Sequence, residues 1–204
     1  MIGIIDYGVG NLKSIVNAIK FHDVTNHVDL VRDTSKLKNY SKIILPGVGA
    51  FGDAIKRIRK KGIDKAIFEE VNKGKYLLGI CLGMQLLATK SYEHGEFNGL
   101  DLIEGEVVNF RNKINNLRIP HIGWNEVEML KDDKILKSIE NRSDFYFLHS
   151  YYYKCWDSSQ VVGVTNYGIK YPSIINKDNI YGVQFHPEKS QEAGLRLMKN
   201  FIEL

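Results

Sequence analysis

Lys75-Tyr76-Leu77-Leu78-Gly79-Ile80-Cys81-Leu82-Gly83-Met84-Gln85 decides the fold. A short apolar run spans Tyr76 to Ile80, and a helical pattern leaves from Leu82 toward Thr89. A strand without polar alternation is buried on both faces, as in a parallel sheet covered by helices. Cys81 stands at the junction, with Gly79 and Gly83 two residues away on each side. In such a G-x-nucleophile-x-G turn the nucleophile is held in a strained bend, and the glycines keep side chains out of the crowded space around it. The sulfur then lies at the carboxyl end of a strand, where open α/β sheets bind ligands. It also lies at a helix N-terminus, which favours thiolate over thiol and makes the Leu82 N–H an oxyanion donor. The plainer alternative is a small apolar cysteine in a core strand.

Working outward from the elbow, the first half alternates two periods. Ile2 to Asp6, Val28 to Val31 and Lys42 to Leu45 are strand candidates, the last stopped by Pro46-Gly47. Leu12, Ile15, Val16 and Ile19 mark one helical face; Phe51 to Lys61 and the stretch with Ile63, Ala66, Ile67 and Val71 are further helices. Beyond Leu102 the pattern changes to short strands between polar turns: Glu106 to Phe110, Asn125 to Met129, Phe145 to His149, Val161 to Thr165, Ser173 to Asn176 and Ile180 to Phe185. A last helix begins near Ser190, an N-cap candidate, and runs through Leu197, Met198, Phe201 and Ile202. The expectation is an α/β fold: an open, mostly parallel sheet flanked by helices, with antiparallel strands added in the C-terminal half. With no linker or repeat, residues 1–204 are expected to form a single domain.

Composition excludes several classes. Hydrophobic residues at 44% and charged residues at 25% rule out a disordered tail, and two cysteines rule out a disulfide scaffold. A net charge of +4 is too weak for a dedicated nucleic-acid binder. The basic run Lys56, Arg57, Arg59, Lys60 and Lys61 reads as a solvated helix face ending at Gly62. No apolar run approaches the ~20 residues that cross a bilayer, and the start lacks a basic n-region, so the expected compartment is the reducing cytoplasm. No cluster has metal-ligand spacing, and Gly8-Val9-Gly10 fails as a dinucleotide fingerprint because Lys13 stands where the third glycine belongs. No cofactor or metal is expected.

A thiol nucleophile needs a base. Of the six histidines, only His186 is followed closely by a carboxylate in a constrained segment, Gln184-Phe185-His186-Pro187-Glu188-Lys189-Ser190. Pro187 biases His186 toward extended backbone, where residues i and i+2 point the same way. Glu188 can then accept from the His186 ring and hold its tautomer, completing a Cys81–His186–Glu188 triad. Cys155 has no such surroundings and reads as structural.

With these motifs in place, the sequence resembles the class I (triad) glutamine amidotransferases. Among them it is most similar to the glutaminase subunits of imidazole glycerol phosphate synthases, from histidine biosynthesis. The resemblance runs the length of the chain. It rests on Ile5-Asp6-Tyr7-Gly8-Val9-Gly10-Asn11-Leu12, Pro46-Gly47-Val48-Gly49-Ala50-Phe51-Gly52, Gly79 to Gln85, Pro120 to Val127, Phe147-Leu148-His149-Ser150-Tyr151 and Gly182 to Ser190. It implies a flavodoxin-like sheet and hydrolysis of L-glutamine through a γ-glutamyl thioester on Cys81. It implies an oxyanion hole from the amides of Leu82 and the Val48-Gly49 segment, and glutamine contacts at Gly49, Gln85, Glu93, Ser150 and Tyr151. Glu93 would meet the substrate α-amino group. It also implies a one-to-one pair with a (β/α)8 cyclase subunit that receives the ammonia, with Asn11, Trp124 and Tyr146 at the interface. Without the resemblance, Asn11 caps the first helix, and Trp124 and Tyr146 are core aromatics. Members of the family are nearly inactive alone, which a Pro46–Gly49 loop realigned by docking would explain. A second branch of the family supplies ammonia for amination or amidination of bacterial surface sugars, and the core motifs do not separate the two. A peptidase or thiol-stress protein on a similar sheet is disfavoured by Gln85 and the Pro46 loop.

Overall fold

A computed structural model describes residues 1–22, 27–114 and 117–204. The chain opens with β1 (Ile2–Ile5), α1 (Leu12–His22), β2 (Val28–Val31), β3 (Lys42–Leu45), α2 (Phe51–Lys60) and α3 (Ile63–Asn72). It continues with β4 (Tyr76–Ile80), α4 (Leu82–Leu86), β5 (Lys90–Ser91), β6 (Phe97–Asn98), β7 (Gly105–Asn109), β8 (His121–Glu126), β9 (Glu128–Met129) and β10 (Asp144–His149). The last elements are β11 (Tyr151–Cys155), β12 (Val161–Asn166), β13 (Lys170–Lys177), β14 (Ile180–Val183) and α5 (Gln191–Glu203).

The main sheet has eight strands in the order β2-β1-β3-β4-β14-β13-β12-β9. The first five are parallel, and β13, β12 and β9 add on antiparallel. This is the expected α/β architecture, with the antiparallel extension in the C-terminal half. Two smaller sheets flank it: β10 with β8, and β11-β7-β5-β6. Because side chains alternate along a strand, each parallel strand feeds two cores. Ile4, Leu78 and Ile80 meet Ile15 and Ile19 of α1 and Leu197, Met198 and Phe201 of α5. Ile5, Ile43 and Leu77 meet Phe51, Ile55 and Ile58 of α2 and Ile63 and Ile67 of α3.

Several boundaries differ from the sequence pattern. The helix after Cys81 stops at Leu86, not Thr89, because the backbone N–H groups of Leu100, Leu102 and Ile103 take up the carbonyls of Leu86 and Leu87. Asn125 to Met129 is two strands, broken at the fully buried Val127. The strand from Ile180 ends at Val183, and β11 carries a strand the pattern missed. Ser190 precedes α5 but does not cap it with its side chain. Its Oγ instead accepts from Tyr146 N–H at 3.0 Å and donates to His186 O at 2.6 Å. The basic run on α2 is solvent-exposed, as expected.

Strand register is what assembles a site. In β3, β4 and β14, Leu45 lies beside Gly79 and Ile80 beside Val183. All three strands end at one edge. They deliver the Pro46 loop, Cys81 and the His186 segment to neighbouring positions.

Candidate active site

Cys81 has φ +54° and ψ −110°, a strained conformation for a side-chain-bearing residue. Its backbone is held by Cys81 N–H donating to Val183 O at 2.8 Å. The glycines beside it are sterically required. A Cβ on Gly83 would stand 1.8 Å from Leu45 O, and one on Gly79 would stand 2.7 Å from Gly83 O. The Cys81 sulfur is 3.8 Å from Leu148 O and receives Gln184 Nε2–H at 3.9 Å.

His186 is buried, and its Nδ1 lies 2.9 Å from Glu188 Oε1 across the single residue Pro187. Its backbone N–H donates to Tyr146 O at 2.9 Å, so the histidine is tied to β10 from both sides by Tyr146 and Ser190. Burial opposes charge on the ring, yet the Cys81 sulfur and the Glu188 carboxylate outweigh it and push His186 up to about 10. The sulfur is therefore an interacting partner of the imidazole, placed where His186 can exchange a proton with it. The three residues of the expected triad come together.

A cavity of about 240 Å³ opens over Cys81. Val48, Gly49, Leu82, Gln85, Glu93, Ser150, Tyr151 and His186 all line it, which gathers every expected oxyanion and glutamine-contact residue at one place. The amides of Val48, Gly49 and Leu82 donate to no acceptor among the described residues. Gly49 has φ +95° with open space where a Cβ would be. Gln85 Nε2 donates to Tyr151 O at 2.9 Å and to Gln184 Oε1 at 3.0 Å, which leaves its carbonyl oxygen as the group to offer a ligand. Glu93 Oε2 accepts from Phe51 N–H at 2.6 Å. Burial raises the Glu93 carboxyl, and that hydrogen bond partly offsets the effect.

The sequence pattern missed Pro120, Leu148 and His149, which complete the lining. It also missed Tyr7, whose hydroxyl donates to Pro46 O at 2.8 Å and braces the start of the Val48-Gly49 loop against the first loop. Cys155 stands apart, its thiol pushed up to about 12 by burial.

Of the interface candidates, Asn11 and Trp124 are exposed and Tyr146 is half-buried. Trp124 is 47% exposed, so the alternative reading of it as a core aromatic does not hold. It faces Tyr146 across the β8–β10 pair, ring centroids 6.0 Å apart. The next cross-strand pair on this face, Ile122 (57% exposed) and Leu148 (40%), extends the apolar strip to the rim of the cavity. Asn11 is exposed just before α1, and its carbonyl accepts from Ile15 N–H at 3.5 Å.

Comparison with known proteins agrees with this geometry. The family model "Glutamine amidotransferase class-I" matches residues 3–204. Imidazole glycerol phosphate synthase subunit HisH of Caldanaerobacter subterraneus subsp. tengcongensis is 47% identical over 204 residues, covering 100% of this chain and 98% of that protein. Subunit HisH of Chlorobaculum tepidum is 43% identical, with 100% of both chains covered. Among solved structures, a glutamine amidotransferase shares the fold with a TM-score of 0.76 at 20% identity, covering 99% of this chain and 97% of that one. PurLQS from Thermotoga maritima gives 0.76 at 18% identity, with 99% and 97% covered. A strained cysteine, a histidine–carboxylate pair just past the adjacent strand and a match over nearly the whole chain lead to one conclusion: this chain belongs to the class-I glutamine amidotransferases.

Proposed function

We propose that this chain is the glutaminase subunit of an imidazole glycerol phosphate synthase, hydrolysing glutamine to glutamate and ammonia and passing the ammonia to a (β/α)8 cyclase subunit. The single observation that carries the chemistry is the convergence of Cys81, His186 and Glu188 at the end of β4 and β14 beside a cavity lined by the expected contacts. The HisH names of the 43–47% identical relatives favour the histidine branch over surface-sugar modification.

Cys81 attacks the substrate side-chain amide carbon as thiolate. The developing oxyanion takes the free amides of Leu82 and the Val48-Gly49 segment. The His186 imidazolium, steadied by Glu188, gives its proton to the departing nitrogen, and ammonia leaves. Neutral His186 then takes a proton from water, which attacks the thioester, releases glutamate and restores the pair. The Gln85 carbonyl oxygen and Glu93 accept from the α-amino group, and Ser150 and Tyr151 hold the other end of the substrate backbone.

Ammonia released into water is protonated and ceases to be a nucleophile, so a partner must cover the site. The apolar strip of Ile122, Trp124, Tyr146 and Leu148 runs to the cavity rim and suits that role. Docking there and at Asn11 bears on the Pro46 loop, since Tyr7 joins the first loop to Pro46. The compartment that fits a free catalytic thiol is the reducing cytoplasm; among the described residues no helix is long and apolar enough to cross a membrane. The test is to mix the chain with a histidine-pathway cyclase and assay glutamine-dependent formation of imidazole glycerol phosphate. Product formation is expected; no stimulation would turn the assignment to the sugar branch.

A further inference from the structure

A buried polar chain runs back from the cavity wall at Tyr151 and His149, and its Tyr171, His121 and Asn125 have no role so far described. Tyr151 O accepts from His149 Nδ1 at 2.7 Å. His149 Nε2 lies 3.2 Å from Tyr171 Oη, which lies 3.0 Å from His121 Nδ1. His121 Nε2 lies 3.3 Å from Asn125 Nδ2, which also donates to Asn166 O at 3.0 Å. The three central side chains are buried among Phe110, Phe147 and Tyr167.

The end groups fix every proton. A carbonyl can only accept, so His149 Nδ1 carries the hydrogen. Burial holds His149 down at about 3 and His121 at about 4, so each ring has one proton at neutral pH. His149 Nε2 is then bare and takes the Tyr171 hydroxyl hydrogen. Tyr171 Oη accepts from His121 Nδ1–H. His121 Nε2 is bare in turn and accepts from Asn125 Nδ2–H, an amide already oriented by Asn166 O and by Glu126 N–H donating to its Oδ1 at 2.9 Å. The far end sits on β8, next to exposed Trp124; the near end is the carbonyl that also accepts from Gln85 Nε2.

We propose that His149 is a positioning residue: its proton, ordered by Asn125, His121 and Tyr171, holds the Tyr151 carbonyl and through it the Gln85 amide in the shape that receives glutamine. An apolar core would be cheaper than a buried polar chain of this length, and a chain with one proton order fixes one geometry. This rests on the glutamine-hydrolysing reading above.

The test joins a structural and a kinetic readout on the full chain. Two-bond 15N–1H spectra of histidine-labelled protein are expected to show His149 and His121 protonated at Nδ1 and bare at Nε2. Asn125→Asp replaces the terminal donor with an acceptor. It should draw the His121 proton to Nε2, turn the Tyr171 hydroxyl toward His121, and leave His149 protonated at Nε2. With the cyclase partner present, Asn125→Asp and Tyr171→Phe should each raise the glutamine KM about five- to tenfold, with kcat within twofold. His149→Asn, whose amide nitrogen takes the place of Nδ1, should keep a near-native KM where His149→Leu does not. A wild-type His149 protonated at Nε2, or an unchanged KM in both Asn125→Asp and Tyr171→Phe, overturns the proposal. A wild-type chain that turns over no glutamine with its partner defeats the functional reading alone, and the tautomers still judge the proton order.

Discussion

His186 Nδ1 lies 2.9 Å from Glu188 Oε1, with both side chains almost wholly buried. The carboxylate can only accept, so Nδ1 carries the hydrogen and Nε2 is the nitrogen left for proton transfer at Cys81. Glu188→Gln keeps an acceptor in place but removes the charge that steadies the imidazolium. Turnover of glutamine with the partner present should fall at least about 100-fold, with the circular dichroism spectrum and glutamine KM near native. Unchanged kcat would remove Glu188 from the triad.

Gly83 is a packing requirement for the elbow. Its missing Cβ leaves room for Leu45 O, which would otherwise stand 1.8 Å away. Backbone atoms yield less readily than side-chain tips, so Gly83→Ala should destabilise the chain by about 3 kcal/mol or more in urea unfolding. A variant as stable as wild type would mean that β3 and α4 are not so close.

Trp124→Ala tests the docking strip. An exposed aromatic at the centre of an interface is worth about 2 kcal/mol or more, so titration calorimetry should show the dissociation constant for the cyclase rising about 30-fold. The melting temperature should be unchanged, since the side chain is not in the core. Native affinity would place the interface elsewhere.

Acid stability reports the buried histidines. An unfolded histidine binds its proton near the ordinary value of 6.5, whereas His121 does so at about 4 and His149 at about 3 because burial disfavours charge. Between those limits the unfolded state binds more protons, so stability is full above 6.5 and is lost as pH falls. Each histidine adds a slope of up to about 1.4 kcal/mol per pH unit. His186 is shifted upward, so it stabilises the folded state as pH falls from about 10 toward 6.5, and its opposing slope fades below about 6 as the unfolded histidine also takes its proton. Urea midpoints taken from pH 6 to pH 5 should fall, and less steeply in His149→Asn; parallel slopes would mean that His149 already holds its charge when folded.

Much of this was legible in the residues. The apolar runs of β1, β3 and β4 and the spacing of Leu12, Ile15 and Ile19 marked the parallel half, because doubly covered strands and one-sided helices leave distinct periods. The Gly79–Gly83 frame and the His186–Glu188 spacing marked the residues that converge beside the cavity, whose constraints are local. What local pattern does not carry is pairing. Tyr151–Cys155 follows β10 with a single residue between, and with no turn signal to separate them the pattern stopped at His149 and left β11 unassigned. Ser190 looked like a cap because only the tertiary fold brings Tyr146 N–H to its hydroxyl. His121, His149 and Tyr171 stand on three different strands, and only their assembly shows one chain of hydrogen bonds.

The proposed chemistry turns on Cys81 as the nucleophile of glutamine hydrolysis. The most direct measurement is glutamate release by Cys81→Ala in complex with the cyclase, beside the wild-type complex at saturating glutamine. The wild type is expected to turn over glutamine and the variant to show nothing above the uncatalysed rate, with complex formation intact. Glutamate release by Cys81→Ala at a rate comparable to wild type would contradict it.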